Sequence, residues 1–155
     1  MGKSFTSFAG SEVAFALLFP METLFESFIA ERLKRVMRNT GCTLSAQDKS
    51  YYLFDAPRKF LIKPDIVIRN KANNKIFVMD TKWKVLDDKK SNYGISQADM
   101  YQMYAYDKKY SSETVTLIYP LTDKIEHSKD IHFFANDGTL INVRFVDLFN
   151  IGSSL

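Results

Sequence analysis

Residues 60–84 read FLIKPDIVIRNKANNKIFVMDTKWK, and the reading of this stretch decides the fold. Two apolar runs, IVI and IFVM, flank a polar linker rich in Asn and Lys, the pattern of a β-hairpin. Asp65, Asp80 and Lys82 stand beside its most hydrophobic residues, although burying an unpaired charge is costly. Side chains alternate between the faces of a strand, so Asp80 and Lys82 share a face with Ile76 and Val78. Whether Asp65 joins them depends on register, because a slip of one residue flips a strand's faces. A four-residue loop, Lys71 to Asn74, sets Asp65 opposite Asp80. A two-residue Asn73-Asn74 loop sets it opposite Lys82, and a five-residue loop separates the charges. Two of these three registers converge the charges.

Around this hairpin the chain alternates helix and strand. From Pro20, apolar residues recur at helical spacing from Met21 through Met37, with Gly41 as the expected stop. Leu44 and Tyr51 to Phe54 suggest one interrupted strand, followed by hairpin arms over 59–69 and 75–84. After the polar loop DDKKSNYG, Ser96 and Asp99 resemble a capping box opening a helix to about Tyr110. Strands follow at 114–119, 131–134 and 140–145, the last two joined by the turn ANDG. The order α-β-β-β-α-β-β-β predicts an α/β fold, a mixed central sheet flanked by helices. Residues 1–15 read as a loose lead-in and 16–155 as a single domain.

Composition narrows the function only slightly. A formal net charge of +3 permits a polyanionic partner without demanding one. The lone Cys42 rules out an internal disulfide and any multi-cysteine metal site. The apolar run Val13 to Phe19 falls far short of a membrane span, and a cytoplasmic protein is the expectation.

Two carboxylates brought close together repel unless a cation lies between them. Hard oxygen ligands suit Mg²⁺ or Mn²⁺, and such an ion lowers the pKa of a water that can attack phosphorus. Lys82 would orient that water or offset charge on the phosphate, and the Thr81 carbonyl would add an oxygen ligand. On spacing alone, a turn acid at Asp65 and a simple Asp80–Lys82 ion pair fit equally well. Glu26 falls inside the apolar arc of the first helix, between Leu33 and Met37, and a core-facing glutamate needs a partner. Gln97 and Tyr101 form one stripe of the second helix by i, i+4 spacing, with Lys108 further along it. His127 and His132 stand apart from every motif.

These residues resemble a known family. Pro64-Asp65 followed by Asp80-Thr81-Lys82 looks like the PD-(D/E)xK nuclease signature, whose restriction-endonuclease-like core is α-β-β-β-α-β. LLFPMETLFESFIAERLKR (17–35) and ISQADMYQMYAYDKKY (95–110) resemble the nuclease region of McrC. McrC is the cleavage subunit of McrBC-type, 5-methylcytosine-directed restriction systems. The resemblance implies a Mg²⁺- or Mn²⁺-dependent DNA endonuclease with Asp65, Asp80 and Glu26 on the metal and Lys82 as catalytic lysine. It matches Gln97 and Tyr101 to a QxxxY element beside the active site of RecB-like relatives, while Lys84 is expected to contact DNA. It also implies a McrB-like AAA+ GTPase partner; double-strand cleavage would further call for a dimer on DNA. A RecB- or resolvase-like repair nuclease and a non-catalytic scaffold are the alternative readings.

Overall fold

In the computed structural model, which describes residues 20–126 and 130–150, a six-stranded mixed sheet carries one helix on each face. Helix α1 spans Met21–Val36, with Glu22 in its first turn and Lys34 and Arg35 in its last, the charge order its dipole favours. Strands β1 (Cys42–Ala46), β4 (Ile66–Asn70), β5 (Ile76–Thr81) and β6 (Thr114–Pro120) follow, with α2 (Gln97–Tyr110) between β5 and β6. The sheet closes with β7 (Ile131–Phe134) and β8 (Leu140–Val146), in the order β1-β4-β5-β6-β8-β7. β5, β6 and β8 are parallel, as a crossover through α2 requires for the first pair. The other neighbours are antiparallel. The series α1, β1, β4, β5, α2, β6 is the expected α-β-β-β-α-β core.

Alternation along β4 distributes the core. Val67, Val78, Val115 and Leu117 pack under α2 with Met103 and Tyr106. Ile66, Ile68 and Ile118 pack under α1 with Phe25 and Ile29. Both faces of β4 and β6 are thereby buried, which explains their near-continuous apolar sequence. The Ser96 hydroxyl accepts from the Asp99 N–H at 3.1 Å and caps α2 as expected.

Three expectations need correction. Leu44 and Tyr51 to Phe54 are two strands, not one: β1 joins the main sheet, while β2 (Tyr52–Asp55) leaves it to pair with β3 (Arg58–Leu61). The arm expected over 59–69 likewise splits into β3 and β4, with buried Pro64 between them; proline has no N–H for a ladder. Helix α1 ends at Val36, before Gly41, and the chain turns through left-handed Asn39 and Gly41 instead. The lead-in over 1–15 and His127 lie outside the described residues, and His132 is exposed on β7.

One buried carboxylate ties these pieces together. Asp48, 8% exposed, accepts from Ser50 N–H, from Arg69 Nη1 at 3.1 Å and from the Tyr110 hydroxyl at 2.8 Å. Burial alone would raise its pKa, but these bonds win and hold it down at about 2, against an ordinary 3.8. A depressed folded pKa contributes stability above the unfolded value and loses it as pH falls through the folded one. At 1.36 kcal/mol per unit the contribution is about 2 kcal/mol at neutral pH. Asp48→Asn should therefore lower the urea-unfolding free energy by about 2 kcal/mol at pH 7, the gap closing from about pH 4 toward 2. A gap that stays constant over that range would contradict this role.

Candidate active site

The hairpin register places the two acids. Ile66 pairs with Met79 and Arg69 with Ile76, so the turn is the four-residue loop Lys71 to Asn74. Asn70 N–H donates to Lys75 O at 2.9 Å at its base. Continued past Ile66 and Met79, the same register sets Asp65 opposite Asp80, on the face of Val67 and Val78. β4 ends there, while β5 continues against β6 through Asp80 and Thr81. The strands part at this point and open a cleft of about 260 Å³. Glu26, Lys63, Asp65, Asp80, Lys82 and Gln102 all line it.

Asp65 is held from one side. The Thr81 N–H and the Thr81 hydroxyl both donate to its Oδ2, each at 2.7 Å. Thr81, expected to offer its carbonyl, thus also positions an acid, a role that strand alternation did not reveal. Asp80 is 2% exposed. Burial first, then the charge of Asp65, pushes its pKa up to about 6 against the opposing pull of Lys82. Lys82 Nζ stands 2.6 Å from Asp80 Oδ2, a buried ion pair that offsets part of the acid's charge. The lysine and the Asp65 backbone both favour the ionised form, and burial with the Asp65 charge outweighs them.

Lys82 also donates to Gln102 Oε1 at 2.9 Å and stands 3.8 Å from the Asp99 carboxylate, an ion pair without a hydrogen bond. Burial works to lower its pKa, but Asp80, Asp99 and Asp65 outweigh that and keep it raised and charged. Asp99 also takes Lys84 Nζ on Oδ2 at 2.8 Å, so Lys84 stands at the rim of the cleft already paired. Glu26 is half-buried on α1 and accepts from Gln47 Nε2 at 2.6 Å. Burial raises its pKa, Asp65 raises it further, and the Gln47 bond and Lys63 oppose them. Gln47 also donates its N–H to Asp65 O at 2.7 Å, so one residue braces both acids.

The expected Gln97/Tyr101 pair is not in the cleft. Gln97 Nε2 bonds Tyr101 Oη at 2.7 Å, and Tyr101, 66% exposed, faces an apolar groove beside β7. The sequence repeats the spacing in tandem, QADMY then QMYAY, and the second copy serves the cleft. Gln102 bonds Lys82 through Oε1 and Tyr106 Oη through Nε2 at 2.8 Å. Five residues along a helix rotate the direction by about 140°, so only one copy can point inward. The signal available was phase: Gln102 precedes buried Met103 and lies one turn before buried Tyr106. Lys108 sits away from the cleft, 3.0 Å from Asp137.

The cleft suits a hard divalent cation in part. Two carboxylates line it together, one of them almost wholly buried, and Mg²⁺ is commonly bound by one or two carboxylates plus waters. Among the described residues no three of His, Cys, Asp and Glu gather tightly enough to form an all-protein cage. A larger depression of about 850 Å³ gathers Asp87, Asp88, Asp123 and Glu126, but Asp87 and Asp88 are occupied by backbone N–H groups.

Comparison with known proteins agrees with this architecture. A search of curated proteins returned no match. The fold is similar to a Thermococcus gammatolerans structure described as a refined half-complex from a tetradecameric assembly of McrB AAA+ hexamers with bound McrC. The superposition has a TM-score of 0.63 at 22% identity and covers 87% of this chain, a likeness of fold. It spans 30% of that solved chain, less than a third of its length. Among the described residues no helix is long and apolar enough to cross a membrane. Residues 1–120 match the family described as the McrBC 5-methylcytosine restriction system component, and the chain belongs to that family.

Proposed function

We propose that this chain carries the metal-dependent DNA endonuclease domain, over residues 16–155, of a McrBC-like modification-dependent restriction system. The observation that carries the reading is the convergence of Asp65, Asp80 and Lys82 in one cleft, with Asp80 almost wholly buried. Asp65 and Asp80 would hold Mg²⁺ or Mn²⁺, with Glu26 as the further carboxylate and the Thr81 carbonyl as an additional oxygen. The ion would supply an activated water and offset charge on the scissile phosphate. Thr81 fixes the rotamer of Asp65, and Gln47 braces Glu26 against it. Lys82, kept charged by its acidic neighbours and steered by Gln102 and Asp99, stabilises negative charge on the phosphate as the phosphodiester bond breaks. The family, and the assembly named for the solved relative, support a McrB-like AAA+ GTPase as partner. Target choice then resides in that partner.

Cleavage of supercoiled plasmid with Mg²⁺ or Mn²⁺, alone and with the co-purified GTPase subunit, tests the assignment. Asp80→Ala should fall to background, and Lys82→Ala should slow cleavage by roughly 10²- to 10³-fold. Equal cleavage by wild type and Asp80→Ala would remove the proposal.

The raised pKa of Asp80 sets a pH dependence. Metal needs the carboxylate, which is protonated below about 6. Mn²⁺ affinity measured by calorimetry should therefore fall about tenfold per pH unit below that point and level off above it. Lys82 lowers the Asp80 pKa, so Lys82→Ala should move the midpoint upward. An affinity flat across the range from about pH 5 to 8 would show that Asp80 is not a ligand.

A further inference from the structure

The β2–β3 hairpin takes no part in the cleft chemistry, and its composition is unusual for an idle surface. Its two-residue tip, Ala56-Pro57, joins strands outside the main sheet, and every residue of β3 is exposed. Phe60 is 71% exposed and adopts φ +59, a region where a bulky residue is a genuine outlier. Such strain tends to persist where a site uses it. Its ring meets Phe54 edge-on at 5.9 Å, and Phe54 is itself exposed.

Charge surrounds this aromatic pair. Arg58 and Lys59 lie on β3, Arg58 5.4 Å over the Tyr52 ring, and Lys63 continues the line into the cleft. Among the described residues no salt bridge engages Arg58, Lys59 or Lys63. The hairpin's acid, Asp55, is neutralised by Lys109 Nζ at 2.7 Å. The net charge of +3 thus conceals a separation, with a basic hairpin on one side and the acidic depression around Asp87 and Asp123 elsewhere. The hairpin is also fixed at its base: Tyr51 packs edge-on against buried Tyr110 at 4.7 Å, and Ile62 N–H donates to Tyr51 O at 3.1 Å. Protein interfaces deplete lysine, whereas a run of cations outside any salt bridge suits the phosphates of a polyanion.

We propose that the β2–β3 hairpin is a DNA-gripping arm, in which Arg58 and Lys59 take phosphates of a duplex and Lys63 leads its backbone to the Asp65/Asp80 cleft. Phe60 lays its ring against the sugar–base edge of the same duplex. The proposal deepens the nuclease reading and rests on it.

Fluorescence anisotropy with a labelled duplex of about 30 base pairs, in EDTA and over a salt series, tests it. The double variant Arg58→Ala/Lys59→Ala should bind at least about tenfold more weakly near 0.1 M salt, with the salt slope reduced by nearly two. Phe60→Ala should weaken binding without changing the slope, because its contact is apolar. Lys89→Ala, in the acidic depression, should bind like wild type, and thermal melting checks that each variant folds. A double variant that binds DNA as wild type does overturns the arm; if wild type still cleaves plasmid, the nuclease reading stands. Wild type that neither binds nor cleaves DNA removes both. Unchanged DNA binding with lost capture of the GTPase subunit makes the hairpin a protein interface and also overturns the proposal.

Discussion

The structure depends on the register of one hairpin. The four-residue turn Lys71 to Asn74 pairs Arg69 with Ile76 and, by extension, sets Asp65 across from Asp80. A shift of one residue would send Asp65 to the α1 face, where Ile66 and Ile68 pack, and would bury a charge in that core. The apolar pattern of β4 and β5 therefore fixes the position of the acids. Burial of both faces of β4 makes any other register costly.

That arrangement places two carboxylates side by side in a largely buried setting. Asp80 is nearly inaccessible and stands beside a second carboxylate, and burial and repulsion both favour its protonated form. Lys82 reaches into the same space, 2.6 Å from Asp80 Oδ2, and offsets part of that charge. Such a group contributes less stability as pH rises through its folded pKa, because its ionised form is the disfavoured one. The proposed metal would stabilise the ionised form and leave Lys82 to its acceptor Gln102 and the charge of Asp99.

Much of this was legible in the sequence because it is local. Alternation, turn length and the Ser96 cap are short-range signals, and they located the hairpin, its charges and α2. The choice between tandem copies of the QxxxY spacing was not local, since it depends on which face of α2 meets the sheet. Gln102 could be found only by weighing the phase of Met103, Tyr106 and Tyr110, which are buried together. The second role of Thr81 was hidden for a related reason: its side chain belongs to the opposite face by alternation, yet its hydroxyl reaches Asp65 where β4 leaves the sheet. The Asp48 cluster joins residues far apart in the chain, and no periodicity marks it. The β2–β3 arm was hidden inside what read as continuous strands.

The central claim is that Asp65 and Asp80 face each other to hold a divalent cation. A crystal structure of the full chain with Mn²⁺, phased on its anomalous signal, tests this most directly. The account expects one anomalous peak about 2.1 Å from a carboxylate oxygen of each acid, with Lys82 Nζ drawn away from Asp80 Oδ2. Mn²⁺ absent from the cleft at saturating concentration, with Lys82 still seated on Asp80, would contradict it.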